Sequence, residues 1–297
     1  MTTIAFIGLG AMGAGMAANL AKAGHDVVAF DLSAAALDRA SGAGCRVAAS
    51  AGEATGAAEV VVTMLPAGDH VRKVWSESII PNARPSALVI DCSTIDVESA
   101  RAVSAAAVAG GLKAADAPVS GGIMAAEAGT LAFMVGCPDD VFPSVEPILT
   151  PMARAVIHAG EAGAGQAAKI CNNMLLGISM LGVCEAFALA EKLGLDPLRF
   201  FDIASKSSGQ CWSLTSYSPW PGPVPSAPSN RGYEGGFLTS LMSKDLKLAQ
   251  EAAAKAGAAT PMGAQAQALY ALFEGQGYGQ KDFSAVLQLM RGRLGDL

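Results

Sequence analysis

IAFIGLGAMGAGMAANL, residues 4–20, joins an apolar run, three glycines (Gly8, Gly10, Gly13) and an alanine-rich helical pattern end to end. In a strand-turn-helix unit the first glycine permits a tight turn, the second lets the backbone approach a pyrophosphate, and the third lets the helix pack closely on the strand. The helix N-terminus then faces the anion with unpaired N–H groups and the positive end of its dipole. Turns also need glycine, so the context decides. Here a strand pattern precedes the triplet, a helix pattern follows it, and Asp31 ends a second apolar run, VVAFD at 27–31. The stretch predicts dinucleotide binding, with Gly8, Leu9, Gly10, Ala11, Met12 and Gly13 against the cofactor.

The same rhythm continues. Further apolar runs, VVVTM (60–64), ALVID (87–91), LKAAD (112–116), LAFMV (131–135) and ARAVIH (153–158), alternate with helical stretches, which predicts a parallel sheet covered by helices. After Gly163 the strand pattern stops, and helical patterns run over 164–193, 238–256, 262–274 and 283–293. The fold class is therefore α/β: an N-terminal Rossmann dinucleotide-binding domain over 1–162, then an all-α domain over 163–297. Residues 205–237, with prolines at 219, 221, 223, 225 and 228, form a long loop that also holds Trp212, Tyr217, Trp220 and Tyr233. Loops of that length inside a domain are commonly functional, so it reads as an ordered lid.

Composition narrows the partners. A net charge of -6 and a pI near 5.1 disfavour nucleic acid, whose phosphates need a concentrated basic surface. Six scattered cysteines without a CxxC pair, and only three histidines, speak against a metal site and a disulfide framework. The apolar run Met174–Cys184 is shorter than the ~20 residues that span a bilayer, and the first strand begins at Thr3. The expectation is a soluble, cytoplasmic protein with no membrane partner.

Asp31 separates the two nicotinamide dinucleotides. Its carboxylate accepts hydrogen bonds from the adenosine ribose of NAD and repels the additional phosphate of NADP, which requires a nearby arginine. Leu32 and Ser33 follow, with no cation before Arg39. NAD is the expected cofactor, and Ser33 is expected to cap the next helix. TMLP (63–66) and DCSTID (91–96) end two other strands; Met64, Leu65 and Pro66 are candidates for the adenine-ribose side, Ser93 and Thr94 for the nicotinamide ribose.

GAGQAAKICNN, residues 163–173, opens a helix that becomes apolar on every side. Lys169 and Asn173 are four apart and share a face. A lysine among core positions must be neutralised, paired or used. Burial and the helix N-terminus both favour its neutral amine, which can take the hydroxyl proton of an alcohol while hydride leaves the same carbon. In FLTSLMSKDLKLAQ (237–250) the apolar stripe Leu238, Leu241, Met242, Leu248 and Ala249 encloses Asp245, with Lys244 at its border, making both candidates for the cofactor site or as partners of the lysine. DAPVSGG (116–122) offers the Ser120 hydroxyl and the Gly121 and Gly122 amides as a nest for a small carboxylate.

Together GLGAMGAGMAANL, DAPVSGG, GAGQAAKICNN and KDLKLA make the chain resemble the β-hydroxyacid dehydrogenase family over essentially its whole length. The resemblance implies Lys169 as acid/base, Asn173 and Ser120 to Gly122 as substrate ligands, Lys244 beside the cofactor, and a homodimer or homotetramer. The loop 205–237 is similar to the branch of that family which oxidises a branched hydroxy acid of valine breakdown to methylmalonate semialdehyde, and Trp212 and Phe237 are expected to receive its methyl group. Reduction of tartronate semialdehyde within the family, and an NAD-binding regulator without turnover, are the alternatives.

Overall fold

Strand β1 (Thr3–Ile7) lies inside a nine-stranded sheet of order β3-β2-β1-β4-β5-β6-β8-β7, with β9 paired to β8. The computed structural model describes residues 1–297. The other strands are β2 (Asp26–Phe30), β3 (Arg46–Val47), β4 (Val60–Thr63), β5 (Leu88–Asp91), β6 (Lys113–Asp116), β7 (Val119–Ser120), β8 (Leu131–Gly136) and β9 (Ala153–Gly160). Helices α1 (Gly13–Lys22), α2 (Ala34–Gly42), α3 (Ala51–Ala57), α4 (Gly68–Val74), α5 (Val97–Ala109), α6 (Gly122–Ala128) and α7 (Phe142–Leu149) connect them, and α8 (Ala164–Lys192) follows β9.

The sheet core explains the apolar runs. Strands β4 and β5 are buried along their whole length, as expected of parallel strands covered on both faces. On β1, Ile4 and Phe6 pack with Met16, Leu20 and Phe133, while the alternate residues Ala5 and Ile7 pack with Val61, Trp75 and Val89 on the opposite face.

Two expectations are corrected here. The sheet is mixed: β8 runs antiparallel to β6 and β7 and parallel to β9. The two-residue strands β3 and β7 escape sequence reading because they are too short to show a period. Strand ends also fall one residue early at β1 and β2, where Gly8, at φ 99°, already turns the chain.

The chain divides into compact units Met1–Lys169 and Ile170–Leu297. The division falls within α8, whose first turn is hydrogen-bonded to residues of the first unit. By length and composition α8 alone would suffice to cross a membrane, longer than the run Met174–Cys184 indicates; it carries buried Gln166, Lys169 and Asn173 in its first turns. In the second unit α9 (Pro197–Ala204), α10 (Trp212–Thr215), α11 (Thr239–Ala256), α12 (Pro261–Phe273) and α13 (Val286–Arg291) follow. Phe187, Met242, Leu246, Tyr270, Phe273 and Phe283 form their core. On α11 the buried stripe is Thr239, Met242, Asp245, Leu246 and Ala249. Leu241, placed inward by the sequence, is 42% exposed.

The segment 205–237 is fixed by its own polar contacts. Tyr233 donates its hydroxyl to the Pro219 carbonyl at 2.9 Å, and Ser229 donates to the Ser218 carbonyl at 2.8 Å. The Arg291 guanidinium lies 4.5 Å over Trp220 and pairs through two nitrogens with Glu191 at 2.8 and 2.7 Å. That ties the proline-rich stretch to both α13 and the end of α8.

Candidate active site

The loop between β1 and α1 is shaped by glycine at two contacts and left open at a third. A Cβ on Gly8 would meet the Met64 carbonyl at 2.2 Å, and one on Gly13 would meet the Gly8 carbonyl at 2.0 Å. At Gly10 a Cβ would meet nothing within 4 Å. Gly10 is exposed, Ala11 exposed and Met12 half-buried, so the loop presents backbone to open space at the N-terminus of α1. That cradle fits a dinucleotide pyrophosphate. Leu9 is buried, and its N–H donates to Asp31 Oδ2 at 2.6 Å.

Asp31 Oδ1 accepts the Ser33 N–H at 2.8 Å. Ser33 is the N-cap residue of α2 but makes no side-chain hydrogen bond to it; its carbonyl accepts the N–H groups of Ala36 and Leu37. Each carboxylate oxygen still has a lone pair for a ribose hydroxyl. Leu32 is 95% exposed beside it. Met64 and Leu65 are half-buried and Pro66 is exposed.

Ser93 is placed differently from expectation. Its hydroxyl is fully buried, donates to Asp91 Oδ1 at 2.6 Å and accepts the Leu65 N–H at 2.7 Å. Thr63 also donates to Asp91 Oδ1, at 2.7 Å. Ser93 thus joins the strand ends of β4 and β5 and does not present its hydroxyl to the surface, whereas Thr94 is half-buried.

Lys169 lies on the second turn of α8, 6% exposed, with Gln166 (0%) one turn before it and Asn173 (2%) one turn after it. Ser120 ends β7, and Gly121 (φ 140°) and Gly122 (φ 74°) lead into α6. A Cβ on Gly121 would lie 2.6 Å from the Ala125 Cβ, while none of the surroundings approaches one on Gly122, leaving backbone accessible as a carboxylate nest requires.

In the second unit Asn173 donates from Nδ2 to Asp245 Oδ2 at 2.5 Å and accepts at Oδ1 from Asn172 at 3.0 Å. Asp245 therefore supports Asn173. Lys244 is half-buried. Trp212, 52% exposed, stacks on Tyr217 at 4.9 Å. Tyr217 donates its hydroxyl to Asp282 Oδ2 at 2.7 Å, which also accepts the Phe237 N–H at 2.8 Å. Buried Asp282 thus holds the Phe237 backbone directly, and Trp212 only through its stacking partner Tyr217. Burial raises the Asp282 carboxyl, and burial with the neighbouring Asp282 pushes the Tyr217 hydroxyl up.

Two residues that meet at the start of α8, one from the end of β6 and one from α8 itself, went unread in the sequence. Asp116, 4% exposed, accepts the N–H of Gly163 at 2.6 Å and of Gln166 at 2.8 Å. Gln166 accepts the Ile95 N–H at 3.1 Å and donates to the Ser93 carbonyl at 2.7 Å. The available signal was polarity at core positions: Gln166 three residues before Lys169, and Asp116 ending an apolar run.

A glycine-cradled nucleotide loop on a mostly parallel sheet, followed by a helical unit, defines a two-unit nicotinamide-dinucleotide-binding oxidoreductase. Residues 3–160 match the family described as the NAD binding domain of 6-phosphogluconate dehydrogenase, and residues 163–290 the one described as NAD-binding of NADP-dependent 3-hydroxyisobutyrate dehydrogenase. The chain is 49% identical to 3-hydroxyisobutyrate dehydrogenase of Pseudomonas aeruginosa, over 99% of this chain and 100% of that one. It is 48% identical to an NAD-dependent L-serine dehydrogenase of the same organism, over 97% and 98%. The solved structure of Mycobacterium tuberculosis 3-hydroxyisobutyrate dehydrogenase with L-serine superposes with a TM-score of 0.95 at 49% identity, covering 98% of this chain and 99% of that chain. The chain belongs to the 3-hydroxyisobutyrate dehydrogenase family of β-hydroxyacid dehydrogenases.

Proposed function

We propose that this enzyme oxidises 3-hydroxyisobutyrate to methylmalonate semialdehyde, a step of valine breakdown, with NAD preferred over NADP and Lys169 as the acid/base. The observation that carries the reading is the burial of Lys169 on the same helical face as Asn173. A buried amine must be neutralised, paired or used, and its place one turn from Asn173 supports use. Neutral Lys169 takes the hydroxyl proton and returns it in the reverse reaction. Bound NAD supplies the acceptor for the hydride that leaves the same carbon. Asn173, held by Asp245, orients the hydroxyl, and Ser120 with the Gly121 and Gly122 amides takes the carboxylate. Two anchors so divided suit a 3-hydroxy acid. Trp212 and Phe237 are assigned the apolar contact to the methyl, Thr94 the nicotinamide ribose, and Lys244 the cofactor side.

A second substrate is supported by the L-serine dehydrogenase and the L-serine-bound structure among the relatives. L-serine keeps the carboxylate and the 3-hydroxyl and carries an ammonium where 3-hydroxyisobutyrate carries a methyl. A panel of 3-hydroxyisobutyrate, L-serine and glycerate with NAD decides between them. We expect kcat/KM for 3-hydroxyisobutyrate at least about tenfold above glycerate, because an unpaired buried hydroxyl costs roughly 1 to 3 kcal/mol. A lead for L-serine or glycerate reassigns the substrate and leaves the dehydrogenase chemistry standing.

Assembly is part of the same proposal. Leu175 and Leu189, 64% and 60% exposed, share a face of α8 with exposed Gly182, a seven-residue spacing suited to a helix-helix contact. Replacing both leucines by glutamate should leave a smaller species in light scattering; an unchanged mass would move the contact elsewhere.

A further inference from the structure

We propose that Asp116 and Gln166 are positioning residues for the oxidation, forming a clamp that fixes the first turn of α8 and thereby the amine of Lys169. The proposal rests on the assignment of Lys169 as acid/base.

Three independent contacts make the clamp. Asp116 receives two N–H groups from the start of α8, at Gly163 and Gln166. Such groups have no intrahelical acceptor. The Gln166 side chain, fully buried, then spans to the backbone on both sides of Thr94, taking the Ile95 N–H and giving to the Ser93 carbonyl. Finally, the carboxylate is seated between glycines. A Cβ on Gly136 would lie 2.4 Å from Asp116 Oδ1 and 2.7 Å from the Gly165 nitrogen, and one on Gly165 would lie 2.3 Å from the Met134 carbonyl. The helix start thus touches strand backbone directly, without side chains that could yield.

The consequence is geometric. Lys169 lies one turn beyond Gln166 on the same face, so its Cα moves with whatever the clamp holds. Gln166 also ties that turn to the loop after β5, on which Thr94 is assigned to the nicotinamide ribose. One side chain therefore holds the proton acceptor in register with the loop assigned to the cofactor. A misplacement of about 1 Å at a reacting group can cost roughly 10²-fold in rate.

The test is a double-mutant cycle on single-turnover hydride transfer, using the best substrate of the panel. Gln166→Met keeps the volume and removes both side-chain hydrogen bonds. It should lower the rate about 10²-fold while NADH affinity, by fluorescence titration, changes little. In the Lys169→Ala background the same substitution should have almost no effect, because the residue acts through the lysine. An equal fall in both backgrounds would overturn the clamp, as would a normal rate for Gln166→Met. If Lys169→Ala by itself keeps near-normal turnover, the acid/base assignment falls first, and the two failures are distinct. Should Gln166→Met not fold, Asp116→Asn enters the same cycle: one carboxylate oxygen becomes an NH₂ facing a backbone N–H, and the same non-additivity is required.

Discussion

Asp31 Oδ2 accepts the Leu9 N–H at 2.6 Å, so the carboxylate that follows β2 also holds the glycine loop leaving β1. The residue to which cofactor choice is assigned therefore also holds the loop geometry. Asp31→Ala should narrow the preference for NAD over NADP by removing repulsion toward the additional phosphate. It should also weaken NAD itself by about tenfold or more, since a hydrogen bond to a charged group contributes roughly 1.5 to 3 kcal/mol. Steady-state kinetics with both cofactors check this; a wild-type preference for NADP defeats the assignment.

Gly10 and Gly13 should respond in opposite ways to the same added methyl. Gly13→Ala drives a Cβ against the Gly8 carbonyl at 2.0 Å and should lower thermal stability. Gly10→Ala meets nothing in the protein, so its Tm should stay near wild type while NADH affinity falls through a clash with bound pyrophosphate. Thermal melts with and without NADH separate the two. A Gly10→Ala variant that binds NADH normally would place the pyrophosphate elsewhere.

For Lys169→Ala, kcat should drop by several orders of magnitude with dinucleotide affinity nearly intact, as for an interaction made in the chemical step. Alcohol oxidation uses the neutral amine, so the wild-type rate should rise with pH and the residual rate of the variant should lose that limb. A pH-rate profile of the variant that retains the limb assigns it to another group.

Asp116 gives a pH signature in stability. Burial pushes its carboxyl from 3.8 up to about 6; the two backbone N–H groups oppose this and the charge of Asp91 adds to it. The Cys137 thiol, itself pushed up to about 12 by burial and by neighbouring carboxylates including Asp116, stays neutral in this range. The folded state therefore binds the Asp116 proton more tightly than the unfolded chain. Its contribution is complete below about pH 4 and is lost as pH rises through about 6, a total of roughly 3 kcal/mol. Denaturant unfolding of wild type and Asp116→Asn should show the wild type losing ground to the variant across that window. A difference that is flat with pH would mean the carboxyl titrates normally.

The sequence by itself determined the elements whose signals are local, and marked candidate chemical groups by the same local signals. Gly8, Gly10 and Gly13 are legible because the turn, the close approach and the helix packing all lie within one strand-turn-helix. Lys169 is legible because a charge among core positions of a helix stands out at a period of 3.6 residues. Tertiary structure decided what depends on partners distant in the chain. Ser93 is turned inward by Asp91 and Leu65; Asp245 accepts from Asn173, 72 residues away; Asp116 and Gln166 hold the start of α8 across separations of 50 and 71 residues. Periodicity indicates which face of an element is buried. A buried polar group, however, takes its role from the donor or acceptor that satisfies it, and only folding brings that group within reach.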